Sequence, residues 1–211
     1  MKTTIADLKD YIKVMKTIKK HPIIFICGIS GSGKTTLAKK LVAENNNAKH
    51  LELDWYAIHS STERERRIKK ALASKSQKLI DQELNPINWY EWDSFKEDIL
   101  TLQRDGKIFV ENAWDQKTGD KIGKHFLDFK WKNGLIVCDG EYLLRPEIIS
   151  LADLSILLDL PIGEIQKRAE KRDRHRSSPE HLARKRLIME MYDVPYFNAN
   201  KKNVTLILNT V

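Results

Sequence analysis

Cysteine is nearly missing from this 211-residue chain: Cys27 and Cys138 are the only two, they lack metal-ligand spacing, and each falls inside an apolar run that reads as a strand. A disulfide framework and a zinc cluster are thereby excluded, and two buried thiols without a secretion signal point to a reducing cytoplasm. No apolar stretch approaches the ~20 residues a membrane span requires, so no membrane partner is expected. Internal repeats and low-complexity tracts are absent, as is the N-K-x-D tetrapeptide with which a GTPase reads guanine. Proline and glycine are sparse, at six and nine residues, which leaves no long linker. Three of those nine glycines nevertheless fall within six positions, at Gly28, Gly31 and Gly33.

What is present begins with charge. Lys and Arg outnumber Asp and Glu 37 to 29, for a formal net charge of +8. Such an excess suits nucleic acid, whose phosphates it would neutralise. Much of it lies between Lys167 and Arg186, however, and a protein that neutralises a triphosphate during chemistry also needs arginines. Charge alone does not choose between the two. At the N-terminus, lysines alternate with Ile5, Leu8, Ile12, Met15 and Ile18, a spacing that predicts an amphipathic helix packed on the body of the domain.

The glycines belong to Gly28-Ile29-Ser30-Gly31-Ser32-Gly33-Lys34-Thr35, which fits the phosphate-loop pattern G-x-x-x-x-G-K-[ST]. The apolar run Ile23–Cys27 leads in as a buried strand, and Thr36-Leu37-Ala38-Lys39-Lys40-Leu41 leads out as a helix. Glycine lets successive amides turn inward around a polyphosphate, and the helix N-terminus adds partial positive charge. The cofactor-binding candidates are therefore Gly28, Ser30, Gly31, Ser32, Gly33, Lys34, Thr35 and Thr36. Lys34 is expected on the β- and γ-phosphates of ATP or GTP, and the Thr35 hydroxyl on Mg²⁺.

Further strands are expected at His50–Asp54, Leu135–Asp139, Leu154–Leu158 and Val204–Leu208. Helices are expected at Thr35–Glu44, Glu63–Glu83, Trp92–Arg104, Ile162–Arg172 and Pro179–Tyr192. The alternation predicts an α/β fold, a five-stranded parallel sheet with helices on both faces, whose ligand sits at the carboxyl ends of the strands. Two acidic residues end such strands. Asp54 is the candidate general base for an attacking hydroxyl, with a helix-cap role as the plainer alternative. Asp139 is the candidate partner of Mg²⁺ beside Thr35, with Glu141 as a second carboxylate for that role. Arg168, Arg172, Arg174 and Arg176 place four guanidinium groups within nine residues, the composition of a lid that closes over the γ-phosphate or of a solvated helix face. Arg172 and Arg176 are the candidates for catalytic contact. The whole reads as one domain over residues 1–211, with the helical start at 1–22, a tryptophan-rich insertion at 84–132 that shapes a substrate pocket or forms a satellite core, and a lid region at 168–186.

With these residues in view, the chain from about Ile23 to Leu208 resembles the uridine kinase and phosphoribulokinase family of small P-loop kinases. The loop Gly28–Thr36 is close to that family's version, and Leu53-Asp54-Trp55-Tyr56 resembles the stretch holding its catalytic aspartate. The segment Asn88 to Phe95 is similar to the one that forms the nucleoside pocket, and Ala113-Trp114-Asp115 followed by Thr118-Gly119 occupies the place of a base-lining segment. The resemblance implies the P-loop NTPase fold of the NMP-kinase kind, with an arginine-rich lid, and phosphorylation of a small-molecule hydroxyl by ATP or GTP. It makes Tyr56, Glu91, Asp93, Phe95, Trp114 and Arg168 the substrate-side candidates. Two departures bear on the acceptor. Lys96 stands where such kinases tend to place a ribose-gripping aspartate, and no histidine occurs near Thr118-Gly119.

The expected function is thus a cytoplasmic ATP-dependent kinase for a small hydroxyl-bearing acceptor, a nucleoside such as uridine or cytidine. Nicotinamide riboside, pantothenate, a sugar phosphate or a nucleic-acid end are alternative acceptors, and a regulatory ATPase without an acceptor is the reading from another class. A homo-oligomer stays open.

Overall fold

The computed structural model describes residues 5–130, 132–173 and 178–209. The chain opens with α1 (Ile5–Ile18), β1 (Ile23–Cys27), α2 (Lys34–Glu44) and β2 (Ala48–Glu52). Three helices follow, α3 (Ser61–Ser74), α4 (Gln77–Leu84) and α5 (Trp92–Asp105), then the strands β3 (Lys107–Trp114) and β4 (Lys121–Asp128). The rest comprises β5 (Leu135–Gly140), α6 (Pro146–Ile149), β6 (Leu154–Leu158), α7 (Ile162–Asp173), α8 (Pro179–Ile188), α9 (Val194–Asn200) and β7 (Leu206–Leu208). Contacts gather these elements into two compact units, Met1–Leu51 with Phe129–Val211, and Glu52–Asp128.

The first unit is built on a five-stranded parallel sheet in the order β2-β5-β1-β6-β7. Every residue of β1, β5 and β6 is buried, as expected of central strands covered on both faces. On one face Ile24, Ile26, Val137 and Ile156 meet Leu8 and Ile12 of α1 and Leu37, Ala38 and Leu41 of α2. The sheet order also explains the site: β1 lies between β5 and β6, so the loop leaving β1 starts beside the carboxyl end of β5. No described helix is long and apolar enough to cross a membrane.

The second unit combines α3, α4 and α5 with an antiparallel β3–β4 hairpin that the sequence reading missed. Ile108 and Val110 point inward while Lys107 and Phe109 are exposed, an alternation too short and too charged to stand out. Register slips between Val110 and Ala113, and Asn112 there takes φ 53°. The turn is tied by Asp115, whose Oδ1 accepts from the Lys117 and Thr118 amides at 3.0 and 2.9 Å. Those bonds hold the Asp115 carboxyl below its ordinary value.

Three expected elements are corrected. The helix expected over Glu63–Glu83 is two helices, because Lys75 adopts φ 55° between them and closes α3. The strand expected to reach Asp54 ends at Glu52, where Leu53–Tyr56 coils into a 3₁₀ turn closed by the Ala57 amide on the Asp54 carbonyl at 3.2 Å. The helix expected to end at Tyr192 instead widens into a π turn, Met189–Asp193, and continues as α9. Pro195 near the start of α9 has no N–H to return to the turn before it, which accounts for the widening.

Candidate active site

The phosphate loop grows directly out of β1. Gly28 takes φ 152°, Gly31 φ 93° and Gly33 φ 101°, values that β-carbon-bearing residues rarely adopt. Space is as limiting as backbone angle. A β-carbon at Gly28 would lie 2.6 Å from Ser32 Oγ, and one at Gly31 would lie 3.1 Å from the Ile165 carbonyl of α7. Gly33 then opens α2, and the Ser32 amide closes the turn on the Ile29 carbonyl at 3.0 Å. Ser30 is half-buried and Thr36 exposed at the head of the helix.

Lys34 is only 9% exposed; its Nζ donates to the Ile29 carbonyl at 3.3 Å and lies 3.6 Å from Glu141 Oε1. The Thr35 hydroxyl donates to Asp139 Oδ2 at 2.6 Å, uniting the end of β5 with the start of α2. On its other oxygen, Oδ1, Asp139 meets His50 Nε2 of β2 at 2.6 Å, and a ring nitrogen facing a carboxylate is the donor. Burial alone would raise the Asp139 carboxyl; the His50 and Thr35 hydrogen bonds and the nearby Lys34 charge bring it below its usual value. Asp139 is thus an anion at neutral pH in a nearly closed position.

Ser32 is fully buried, and its Oγ has no hydrogen-bond partner among the described residues. An orphaned hydroxyl inside a glycine cradle suits an anionic oxygen that the loop would take in. The donor set also suits Mg²⁺: one hydroxyl and one carboxylate, both hard oxygens, with phosphate and water completing the shell. Among the described residues, no group of three or more His, Cys, Asp or Glu forms a protein-only cage.

Two residues near this cluster were not anticipated. His50 was read only as the start of a strand. Asp193, in the π turn, is 5% exposed, and Tyr142 donates its hydroxyl to Asp193 Oδ1. Burial and the charge of Glu141 push the Asp193 carboxyl up to about 7. No local pattern could have found either, since both acquire partners from segments far off in the chain.

The substrate-side candidates in the second unit have settled partners. Asp54 is exposed in the 3₁₀ turn and accepts from the Tyr90 hydroxyl at 3.2 Å. Tyr56 is buried, packs edge-on against Phe95 and donates its hydroxyl to Asp98 Oδ2 at 2.7 Å. Phe95 is itself fully buried. Burial raises the Asp98 carboxyl in spite of the Tyr56 bond. Glu91 pairs with Lys121 at 2.7 Å, while Asp93 stands exposed in the first turn of α5. Trp114 donates its indole N–H to Ser61 Oγ at 3.2 Å. Lys96 is exposed. A histidine does enter this unit, from the second strand of the hairpin: His125 of β4 stacks flat on Trp55, 3.7 Å between centroids and 2° between planes.

Of the basic segment, Arg168 is described and pairs with Glu164 one turn earlier at 2.5 Å. The Arg172 side chain, Arg174 and Arg176 lie outside the described residues, as does Trp131 of the tryptophan-rich stretch.

A family profile described as an AAA domain matches residues 23–106. The chain is similar to the uridine kinase of Ureaplasma parvum serovar 3, with 31% identity over 196 residues that cover 89% of this chain and 87% of the relative. Against the uridine kinase of Ureaplasma urealyticum serovar 10 the identity is 30% over the same length and coverage. In fold it is similar to the phosphoribulokinase of Rhodobacter spheroides, with a TM-score of 0.60 at 16% identity over 86% of this chain and 68% of that one.

Proposed function

The chain belongs to the uridine kinase and phosphoribulokinase family of P-loop kinases, and we propose that it transfers the γ-phosphoryl group of ATP or GTP to a hydroxyl of a small molecule, a nucleoside of the uridine or cytidine kind. The observation that carries this reading is the convergence of Lys34, Thr35 and Asp139 at the end of β1, beside a glycine cradle whose Ser32 hydroxyl has no hydrogen-bond partner among the described residues.

In this mechanism the loop amides and Ser32 hold the phosphates, and Lys34 leaves the Ile29 carbonyl and Glu141 for the β- and γ-oxygens. Thr35 and Asp139 would hold Mg²⁺, which when bound withdraws charge from those oxygens. Asp54 accepts the proton of the acceptor hydroxyl as its oxygen bonds to the γ-phosphorus. The bond from that phosphorus to the bridging oxygen breaks, and ADP departs with the electron pair. Arg168, Arg172 and Arg176 neutralise charge on the transferring group. Tyr56, Glu91, Asp93, Phe95 and Trp114 shape the acceptor side.

One observation favours a second acceptor class. Lys96 is an exposed cation where a ribose-gripping carboxylate is expected, and a cation there favours an acceptor that carries an anion, such as a sugar phosphate. A coupled assay of ADP release over nucleosides, nicotinamide riboside, pantothenate and sugar phosphates separates the two. Release stimulated by uridine or cytidine supports the first reading, and stimulation confined to phosphorylated sugars supports the second. Hydrolysis indifferent to every acceptor overturns both.

A further inference from the structure

The Asp139 carboxylate is held from two sides. Its side chain is 6% exposed, so water does little to orient it, and the terminal torsion of an aspartate is intrinsically broad. Thr35 engages Oδ2, yet in the functional reading that hydroxyl is shared with a cation and cannot by itself determine the carboxylate plane. His50, with a side chain 13% exposed, closes on Oδ1 at 2.6 Å from the neighbouring strand β2. A strand residue is a rigid mount: it carries no hinge, and a backbone in the sheet cannot follow a rotating carboxylate.

We propose that His50 is a positioning residue for the metal–nucleotide site, holding Asp139 by Oδ1 so that Oδ2 is presented to Thr35 and to the cation between Asp139 and the phosphates. The proposal rests on the kinase reading above. A donor that orients a ligating carboxylate from behind is typically worth about 10- to 100-fold in metal affinity or activity. Removing His50 leaves Oδ1 buried without this donor and lets the carboxylate turn, so the cation meets a ligand that must first be ordered. Nucleotide bound without metal does not need that ordering.

The test is a calorimetric titration of ATP into wild type, His50→Ala and His50→Gln, with Mg²⁺ varied and with chelator present. Expected is a rise of about 10- to 100-fold in the Mg²⁺ concentration for half-maximal ATP affinity in His50→Ala. Metal-free ATP affinity should stay within about twofold, and His50→Gln, whose amide N–H substitutes for Nε2–H, should recover most of the loss. Should His50→Ala fail to fold, His50→Asn takes its place, since its shorter amide cannot span the gap. An unchanged Mg²⁺ requirement overturns the role of His50 while leaving the kinase reading intact. Equal losses with and without metal show a merely structural residue and overturn it too. Wild type that binds neither Mg·ATP nor Mg·GTP overturns the kinase reading, and this proposal with it.

Discussion

The two units hold their polar side chains in opposite ways. Around the phosphate loop, a few buried side chains are fixed by the main chain and by one another: Lys34 on Ile29, Thr35 on Asp139, Asp139 on His50. In the unit from Glu52 to Asp128, long polar and aromatic side chains are committed to one another: Glu91 to Lys121, Trp55 to His125, Trp114 to Ser61. In the proposed function the first arrangement holds a polyphosphate, whatever is attached to it. In the proposed function the second shapes the acceptor side.

The contrast can be broken most sharply at its two chemical ends. Lys34→Ala and Asp54→Asn should each lower turnover by about 10³-fold or more while thermal unfolding stays close to wild type. Near-native turnover in Asp54→Asn, measured on the true acceptor, would remove it as the base.

A smaller effect, on stability, belongs to Asp193. Burial and the charge of Glu141 push its carboxyl up to about 7 in the folded protein, against about 4 in an unfolded chain. Below pH ~4 both states carry the proton and nothing is lost. Between there and pH ~7 only the unfolded state gives it up, so stability should fall with rising pH and level off above. The decline should be on the order of 4 kcal/mol, and denaturant titrations of Asp193→Asn across this range should lack it. A parallel slope in the variant would assign the proton elsewhere.

Next comes Gly28→Ala. The φ of 152° and the 2.6 Å approach to Ser32 Oγ should cost about 1–3 kcal/mol of stability, along with nucleotide affinity. The smallest change expected is Trp55→Ala, which should raise the acceptor KM about tenfold through lost stacking and leave the ATP KM alone. An ATP KM that moved with it would end the division of labour between the units.

How much of this could be read beforehand follows the same contrast. The loop was legible because eight consecutive residues carry its geometry, β1 because a strand covered on both faces is an unbroken apolar run, and β6 because only Ser155 interrupts its own. The break at Lys75 was hidden because no glycine or proline marks it. The hairpin was hidden because its inward residues, such as Ile108 and Val110, sit between exposed neighbours over only a few positions. His50 and Asp193 gain their meaning from Asp139 and Tyr142, 89 and 51 residues away in the chain, a distance that local pattern does not cross.

Gly31 has a consequence for how this chain can drift. A β-carbon there would sit 3.1 Å from the Ile165 carbonyl and 3.4 Å from Ala169 Cβ, and its φ of 93° already restricts it to glycine. The space left open by that glycine is closed by the Ile165 carbonyl and the Ala169 β-carbon of α7, so the loop and this helix turn are tied to each other. The neighbour that bounds the phosphate loop at this point is written 138 positions downstream and is invisible to any motif.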